Sequence, residues 1–107
     1  MKPAGADGLT ITREQHGTIV WLTVFGELDL ATAPQLRDAY ARAQHDQPDV
    51  ILIDLAGVTF IDSTGLHTLL DAHAGDHDER LRIMLGPAVA RLIDIVNLRD
   101  HLPIIEG

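Results

Sequence analysis

The chain of 107 residues contains no cysteine. A disulfide framework, a zinc site built from thiolates and thiol catalysis are therefore all excluded. Aromatic residues are also scarce, at 4% of the chain, whereas apolar residues make up 46%. The core must be packed mainly from aliphatic side chains, and the length is sufficient for one such domain.

Basic residues are few as well. Eight basic residues stand against sixteen acidic ones, which gives a formal net charge of −8, and Lys2 is the only lysine. Nucleic acid and anionic membranes are held by clustered lysine and arginine, so neither is an expected partner. No segment approaches the ~20 apolar residues that cross a bilayer, and the first residues lack the apolar region of a secretory signal. We therefore expect a soluble, cytoplasmic protein.

The first part of the chain predicts a β-hairpin. Residues 1–8 are small and polar, which is typical of a mobile terminal segment. Residues 9–13 alternate between apolar and polar, and residues 18–25 are rich in β-branched and aromatic side chains. We expect these two strands to pair through a turn at residues 15–17, with Gly26 ending the second strand.

Helical and strand patterns alternate after the hairpin. A helix is predicted to start with a Thr32 cap, Pro34 in its first turn and Gln35 at the position of a capping box. The remaining segments follow in chain order: a central strand from Val50 through Ile53, a helix after Ile61 that ends at Gly75, a strand over residues 81–85, a helix that opens at Gly86-Pro87, and an edge strand over residues 102–105. The last of these helices has a core-facing stripe of Val89, Leu92, Ile93 and Val96. This order predicts an α/β fold over residues 9–107, with a mixed sheet of four or five strands whose faces are covered by helices.

The central strand leads into a polar junction at residues 61–66, with the sequence Ile-Asp-Ser-Thr-Gly-Leu. A carboxylate, two hydroxyls and a glycine meet there at the predicted start of a helix, and no long side chain hides them. Asp62 is placed to cap the helix, and Ser63 is then its first residue. This junction is the candidate functional site.

Catalytic and metal-binding interpretations of nearby residues find little support. Ser63 and His67 are neighbours on one helix face, but no further residue is evident to orient the imidazole, and the G-x-S-x-G motif of a nucleophile elbow is absent. His73 and His77 have the spacing of a metal pair, but Gly75 interrupts the helix between them. No phosphate-binding loop with its lysine is present. We expect no enzyme activity, no metal and no cofactor.

A phosphorylation switch at Ser63 is consistent with the physics of a helix start. The first turn has unpaired backbone N–H groups and the positive end of the helix dipole, and both favour added negative charge. A phosphate adds about −1.5 to −2 charges, which the fold should accept. A protein docked over the same spot should not accept it, because the group is bulky and must be desolvated beside Asp62. The spacing leaves a purely structural interpretation open, in which residues 62–64 cap the helix and Gly65 allows close packing.

Two blocks of the sequence resemble the motifs of a known family. Residues 61–66, preceded by the strand at residues 50–55 and by Gly57-Val58-Thr59-Phe60, closely resemble the signature of the STAS domain, in particular of the bacterial anti-sigma factor antagonists. Residues 26–30, with Thr32 and Ala33, are similar to the motif between the second strand and the first helix in that family. The resemblance extends over roughly residues 9–105, and it implies a single STAS-like domain.

The resemblance implies a protein that binds an anti-sigma factor, usually a serine kinase with a histidine-kinase-like ATPase fold, and thereby frees a sigma factor. In that family the kinase phosphorylates the serine that follows the aspartate, which corresponds to Ser63, and a phosphatase restores binding. Asp29 corresponds to the family's aspartate near that serine, and Thr64 to a less usual second hydroxyl. The implied partner-binding residues are Glu27, Asp29, Thr32, Asp62, Ser63, Thr64, Gly65 and Leu66.

Other members of the family share the Asp-Ser-Thr-Gly-Leu pattern. They include STAS subunits of multiprotein stress-signalling scaffolds and, more loosely, a small subunit of bacterial lipid-transport ATPases. The resemblance therefore leaves open a scaffold subunit and a binding module that is never phosphorylated. In each case we expect a non-enzymatic protein that is a monomer or a weak homodimer.

Overall fold

The computed structural model describes residues 8–105. Its elements in chain order are β1 (Leu9–His16), β2 (Ile19–Leu28), α1 (Ala33–His45), β3 (Val50–Ile61), α2 (Ser63–Ala74), β4 (Leu81–Met84), α3 (Pro87–Ile95), a 3-10 turn (Arg99–His101) and β5 (Ile104–Ile105). The predicted α/β fold with its order of elements is confirmed. The predicted mobile segment, apart from residue 8, lies outside the described residues, and the domain limits of 9 and 107 stay a prediction.

Five strands form one sheet in the order β1-β2-β3-β4-β5. β1 pairs antiparallel with β2, and the other three pairings are parallel. From β2 to β5, each strand therefore lies next to the preceding strand, and each new strand extends the sheet at the same edge. Right-handed crossovers in a single direction place every connecting helix on the same face of the sheet. The expectation that helices cover both faces is thus wrong for the described residues.

The core lies between the helices and this covered face. Alternate residues of the three central strands point into it and are at most 1% exposed: Val20, Leu22, Val24, Ile51, Ile53, Leu55, Leu81 and Ile83. Buried helical residues, among them Leu36, Leu69, Val89 and Ile93, complete the same cluster. Trp21 and Leu52 alternate with these positions and point to the other side, which we call the open face.

Both long central strands extend further than the sequence patterns predict. β2 passes through Gly26 and continues to Leu28, and β3 continues to Ile61. The pairing of β2 with β3 shifts register twice near Gly26, whose φ is 105°. Such irregular pairing bends a strand without ending it, so Gly26 does not terminate β2 as predicted. The two strands therefore deliver the chain directly to the loops that contain the candidate residues.

The start of α1 is not the predicted capping box. Thr32 is the N-cap residue, but its side chain makes no capping hydrogen bond. Its hydroxyl instead donates to the Glu27 carbonyl at 2.7 Å. The side-chain amide of Gln35 donates to the Leu9 carbonyl at 3.3 Å and so ties α1 to β1. Pro34 lies in the first turn, as predicted.

The core-facing stripe of α3 is shorter than predicted. Val89 and Ile93 are fully buried, whereas Leu92 is half-buried and Val96 is 41% exposed. Val96 comes after the last helical residue, so its side chain no longer follows the apolar face. The predicted edge strand forms directly after Pro103, as β5. No helix within residues 8–105 has the length and apolar character needed to cross a membrane.

Candidate functional site

Two loops lie side by side at the carboxyl ends of β2 and β3. We call residues 27–33 the β2–α1 junction and residues 61–66 the β3–α2 junction. Leu28 pairs with Ile61 in the sheet, and the Asp62 N–H donates to the Leu28 carbonyl at 3.2 Å. The two sequence blocks that carry the family resemblance therefore form one continuous surface.

Asp62 is the N-cap of α2. One oxygen of its carboxylate accepts the Gly65 N–H at 2.9 Å, as the sequence predicts for a cap. The other oxygen accepts the Leu30 N–H at 3.3 Å. A single carboxylate therefore caps α2 and also fastens the neighbouring β2–α1 junction to it.

Ser63 is the first residue of α2, and it is exposed. Within residues 8–105 its hydroxyl makes no hydrogen bond, and the backbone N–H groups of Ser63 and Thr64 have no acceptor there. Such unpaired donors are typical of the first turn of a helix. Ser63 is also the only serine in the chain. Its side chain is therefore accessible from solvent.

The rest of the β3–α2 junction turns inward. Thr64 is half-buried, and Leu66 is only 7% exposed. Gly65 is buried so closely against β2 that a Cβ atom there would lie 2.6 Å from the Leu28 carbonyl oxygen. Gly65 and Leu66 thus position the start of α2 rather than present side chains to solvent.

Asp29 and Thr32 organise the β2–α1 junction. One Asp29 oxygen accepts the N–H groups of Ala31 and Thr32 at 3.0 and 3.1 Å. The Thr32 hydroxyl accepts the Asp29 N–H at 2.9 Å while it donates to Glu27. Thr32 is only 6% exposed and Asp29 is half-buried, whereas Glu27 is exposed. The polar side chains of Asp29 and Thr32 therefore fix the loop backbone.

Sequence reasoning missed two exposed apolar residues at this surface. Leu30 is 73% exposed at the tip of the β2–α1 junction, and Phe60 is 50% exposed opposite Glu27 in the sheet. The signal was available, because Leu30 is a large apolar residue within a polar connection. Aromatic and aliphatic side chains next to charged groups are typical of surfaces that another protein covers.

The charge of this surface has one sign. Glu27, Asp29 and Asp62 contribute carboxylates, and neither junction contains a lysine, an arginine or a histidine. A partner with a basic surface would be attracted to it, and added negative charge would strengthen the local repulsion.

The described residues show no arrangement for catalysis or metal binding at this site. His67 is exposed and makes no hydrogen bond to Ser63 within residues 8–105. No group of three or more histidine and carboxylate side chains in that range could hold a metal ion. α2 ends at Ala74 with Gly75 as its C-cap, so His73 and His77 do not share one helix.

Comparisons with known proteins agree with this architecture. The model of the STAS domain family matches residues 10–106. The anti-sigma-F factor antagonist RsfB of Mycobacterium tuberculosis is 38% identical over 63 residues, which are 59% of this chain and 52% of RsfB, so the match spans about half the length of that relative. The anti-sigma-B factor antagonist of Staphylococcus epidermidis is 29% identical over 102 residues, which are 92% of this chain and 94% of that protein.

A solved structure shows the same fold. The crystal structure of an anti-sigma factor antagonist from Mycobacterium paratuberculosis matches with a TM-score of 0.80 and 31% identity, over 90% of this chain and 84% of that one. The family resemblance of the two sequence blocks is thereby confirmed. The curated relatives of this chain are named anti-sigma factor antagonists. The chain belongs to the STAS domain family.

Proposed function

We propose that this protein is an anti-sigma factor antagonist that binds an anti-sigma factor with serine kinase activity and is released when Ser63 is phosphorylated. The names of its relatives support the antagonist role. The observation that carries the switch is the Ser63 hydroxyl at the start of α2, which is exposed and makes no hydrogen bond within residues 8–105. The protein acts as a binding partner and a kinase substrate in the cytoplasm, where sigma factors work, and a phosphatase reverses the modification.

The folded chain can accept a phosphate at this position. The N–H groups of Ser63 and Thr64, which have no acceptor within residues 8–105, and the positive end of the α2 dipole favour a negative group there, by about 0.3–1 kcal/mol. The Asp62 carboxylate opposes this gain, but both of its oxygens already accept N–H groups. We therefore expect phosphorylation to leave the stability of the domain nearly unchanged.

The bound partner cannot accept the same phosphate. Leu30 and Phe60 offer apolar contacts at the proposed interface, and Glu27 and Asp29 add acidic ones. A phosphate at Ser63 would have to be desolvated beside these groups and would add about −1.5 to −2 charges to the three carboxylates already there. We expect the loss of affinity to be about 1–3 kcal/mol.

The test begins with the modification itself. The protein is incubated with its cognate kinase and ATP, and the phosphopeptide is identified by mass spectrometry for the wild type, Ser63→Ala and Thr64→Ala. Because Ser63 is the only serine, phosphoserine in a hydrolysate identifies the site directly. Modification should persist in Thr64→Ala and vanish in Ser63→Ala. Phosphate on Thr64 alone would contradict the assignment.

Binding is then measured by calorimetry with the same anti-sigma factor. Ser63→Ala should bind like the wild type, while Ser63→Asp and Ser63→Glu should bind about 10- to 100-fold more weakly. The control is His77→Asp, which adds a negative charge to an exposed loop beyond the opposite end of α2 and should leave affinity unchanged. Equal losses of affinity for Ser63→Asp and His77→Asp would overturn the proposal. The finding that the protein captures a large signalling scaffold or a membrane ATPase in place of an anti-sigma factor would overturn it as well.

A further inference from the structure

The open face of the sheet has a shallow apolar depression that the proposed function does not use. Its volume is about 280 Å³, and its lining includes Ile19, Trp21, Val50 and Leu52. Ile19 is 39% exposed, and Phe25 on the same strand is 47% exposed. Within residues 8–105 all three helices lie on the opposite face. Apolar surface of this kind is typical of a face that another protein covers.

One row of side chains crosses the open face with a charge at each end. The strand register places Glu14 opposite Trp21, Trp21 opposite Leu52, and Leu52 opposite Arg82. Opposed residues of neighbouring strands point to the same face. We call these four residues the open-face row. It runs from an acidic residue on β1, through two apolar residues, to a basic residue on β4.

Neither terminal charge of the row is neutralised by an oppositely charged carboxylate or guanidinium within residues 8–105. The Arg82 guanidinium donates to the backbone carbonyls of Glu79 and Leu81 at 2.9 and 2.8 Å. The nearest charged partner of the Glu14 carboxylate within residues 8–105 is His16, whose Nε2 lies 3.8 Å from Glu14 Oε1, and that imidazole is charged only when protonated. Both charges are therefore available to a group outside the described fold.

The open-face row is complementary to itself under one symmetry operation. A two-fold axis parallel to the strands, between β2 and β3, places β1 of one copy over β4 of the other. Glu14 then faces Arg82 of the second copy at both ends, and Trp21 lies over Leu52 of the second copy, which is itself only 6% exposed in a single copy. A two-fold axis across the strands would instead oppose Glu14 to Glu14 and Arg82 to Arg82. Opposite charges at both ends favour the first arrangement alone.

We propose that the open face is a homodimer interface, in which two copies of this chain pack sheet against sheet with the open-face rows antiparallel. Under this operation only β1 to β4 overlap, and four strands spaced about 4.8 Å apart, with roughly 20 Å of paired length, give a contact face of roughly 400 Å² per copy. Two such faces bury roughly 800 Å² in total, which is below the range of stable specific interfaces and within the range of weak, transient ones. The dimer is therefore weak and reversible, with a Kd of about 10–1,000 μM. Ser63 starts a helix on the covered face, so each copy keeps its site accessible.

Sedimentation equilibrium over about 10 μM to 2 mM tests the proposal. The wild type should show a monomer–dimer equilibrium, and Glu14→Arg or Arg82→Glu should each weaken it at least about tenfold, because each variant opposes like charges at both ends. An equimolar mixture of these two variants should associate again, because every end of that heterodimer pairs an acidic with a basic residue. The emission of Trp21, the only tryptophan, should shift to shorter wavelength as the dimer forms.

Arg91→Glu serves as the matched control, since it reverses an exposed charge on α3 and should leave association unchanged. Circular dichroism establishes that each variant is folded. Because Glu14 is exposed on an edge strand, its replacement tests the interface even if Arg82→Glu fails to fold. A wild type that stays monomeric at about 2 mM, a folded Glu14→Arg that dimerises normally, or two folded variants that fail to associate when mixed would each overturn the proposal.

Discussion

The two junctions that meet at the carboxyl ends of β2 and β3 use similar polar residues in different ways. In the β2–α1 junction the side chains of Asp29 and Thr32 are bound to the loop's own backbone, and Thr32 is buried. In the β3–α2 junction Asp62 is bound in the same manner, but the adjacent Ser63 hydroxyl is exposed and makes no hydrogen bond within residues 8–105. One loop is fixed by its polar groups, and the other leaves one reactive group available.

The residues that fix the shape of the site are therefore different from the residue that is available for chemical modification. A residue whose hydrogen bonds hold the backbone can be changed only at a cost in stability. A residue with no such bonds can be modified or replaced with little effect on the fold. The comparison therefore predicts a graded series of effects, from the buried positions that set the geometry of the site to the exposed serine.

The largest effect is expected at Gly65. Gly65→Ala places a Cβ atom 2.6 Å from the Leu28 carbonyl oxygen, so α2 must move away from β2, and the free energy of unfolding should fall by about 2–4 kcal/mol. Urea unfolding followed by circular dichroism measures this. The control is Gly75→Ala, where the nearest atom, the Asp71 carbonyl oxygen, is 3.5 Å away and the change should be small. Equal losses at the two glycines would show that helix packing at Gly65 is not the cause.

Asp29→Ala comes second. It leaves the N–H groups of Ala31 and Thr32 without their shared acceptor, and we expect a loss of about 1–3 kcal/mol in the free energy of unfolding. Asp29→Asn retains an acceptor oxygen and should recover most of the loss in the same urea experiment. If Asn is as destabilising as Ala, the negative charge rather than the hydrogen bonding of Asp29 supports the β2–α1 junction.

Leu30→Ala should lower affinity without lowering stability. Leu30 is 73% exposed, so the free energy of unfolding should stay within about 0.5 kcal/mol of the wild-type value, while binding to the proposed anti-sigma factor partner should weaken by about 1–2 kcal/mol in calorimetry. Ile95→Ala is the matched control, because Ile95 on α3 is 74% exposed and far along the chain from both junctions. Comparable losses of affinity for the two variants would mean that Leu30 is not a specific contact.

The smallest effect on stability is expected for Ser63→Ala. No hydrogen bond within residues 8–105 is lost, so the free energy of unfolding should change by less than about 0.5 kcal/mol. The same urea experiment measures it. A loss as large as that of Asp29→Ala would show that Ser63 supports the fold, and it would remove the contrast between the two junctions.

The sequence predicts well the elements that form the helix-covered side of the sheet. The β-branched and aromatic run of β2, the buried part of the α3 stripe and the cap at Asp62 are local patterns, and local patterns follow directly from the geometry of strands and helices. Asp62 and Ser63 were identified for the same reason, because a capping residue and the first helical residue are defined by their position in the chain.

The remaining features depend on tertiary pairing, which a local pattern does not contain. The order of strands and helices predicted a sheet whose faces are covered by helices, but the direction in which strands are added placed all described helices on one face. The roles of Gln35 and Thr32 changed because Leu9 and Glu27 supplied acceptors from elsewhere in the chain. The exposure of Leu30 and the bond from its N–H to Asp62 likewise arise only when the two junctions meet.

The parallel pairing of β2 with β3 has a consequence for the order of folding. The β1–β2 hairpin joins residues that are close in sequence, so its strands can find each other within microseconds. β2 and β3 must instead close a long loop through α1, and such non-local pairing is slow. The hydrogen bond from Asp62 to Leu28 forms only with that pairing. A newly synthesised chain therefore displays its serine in the native setting only late, and the kinase proposed above, if it recognises this setting, acts on completed molecules.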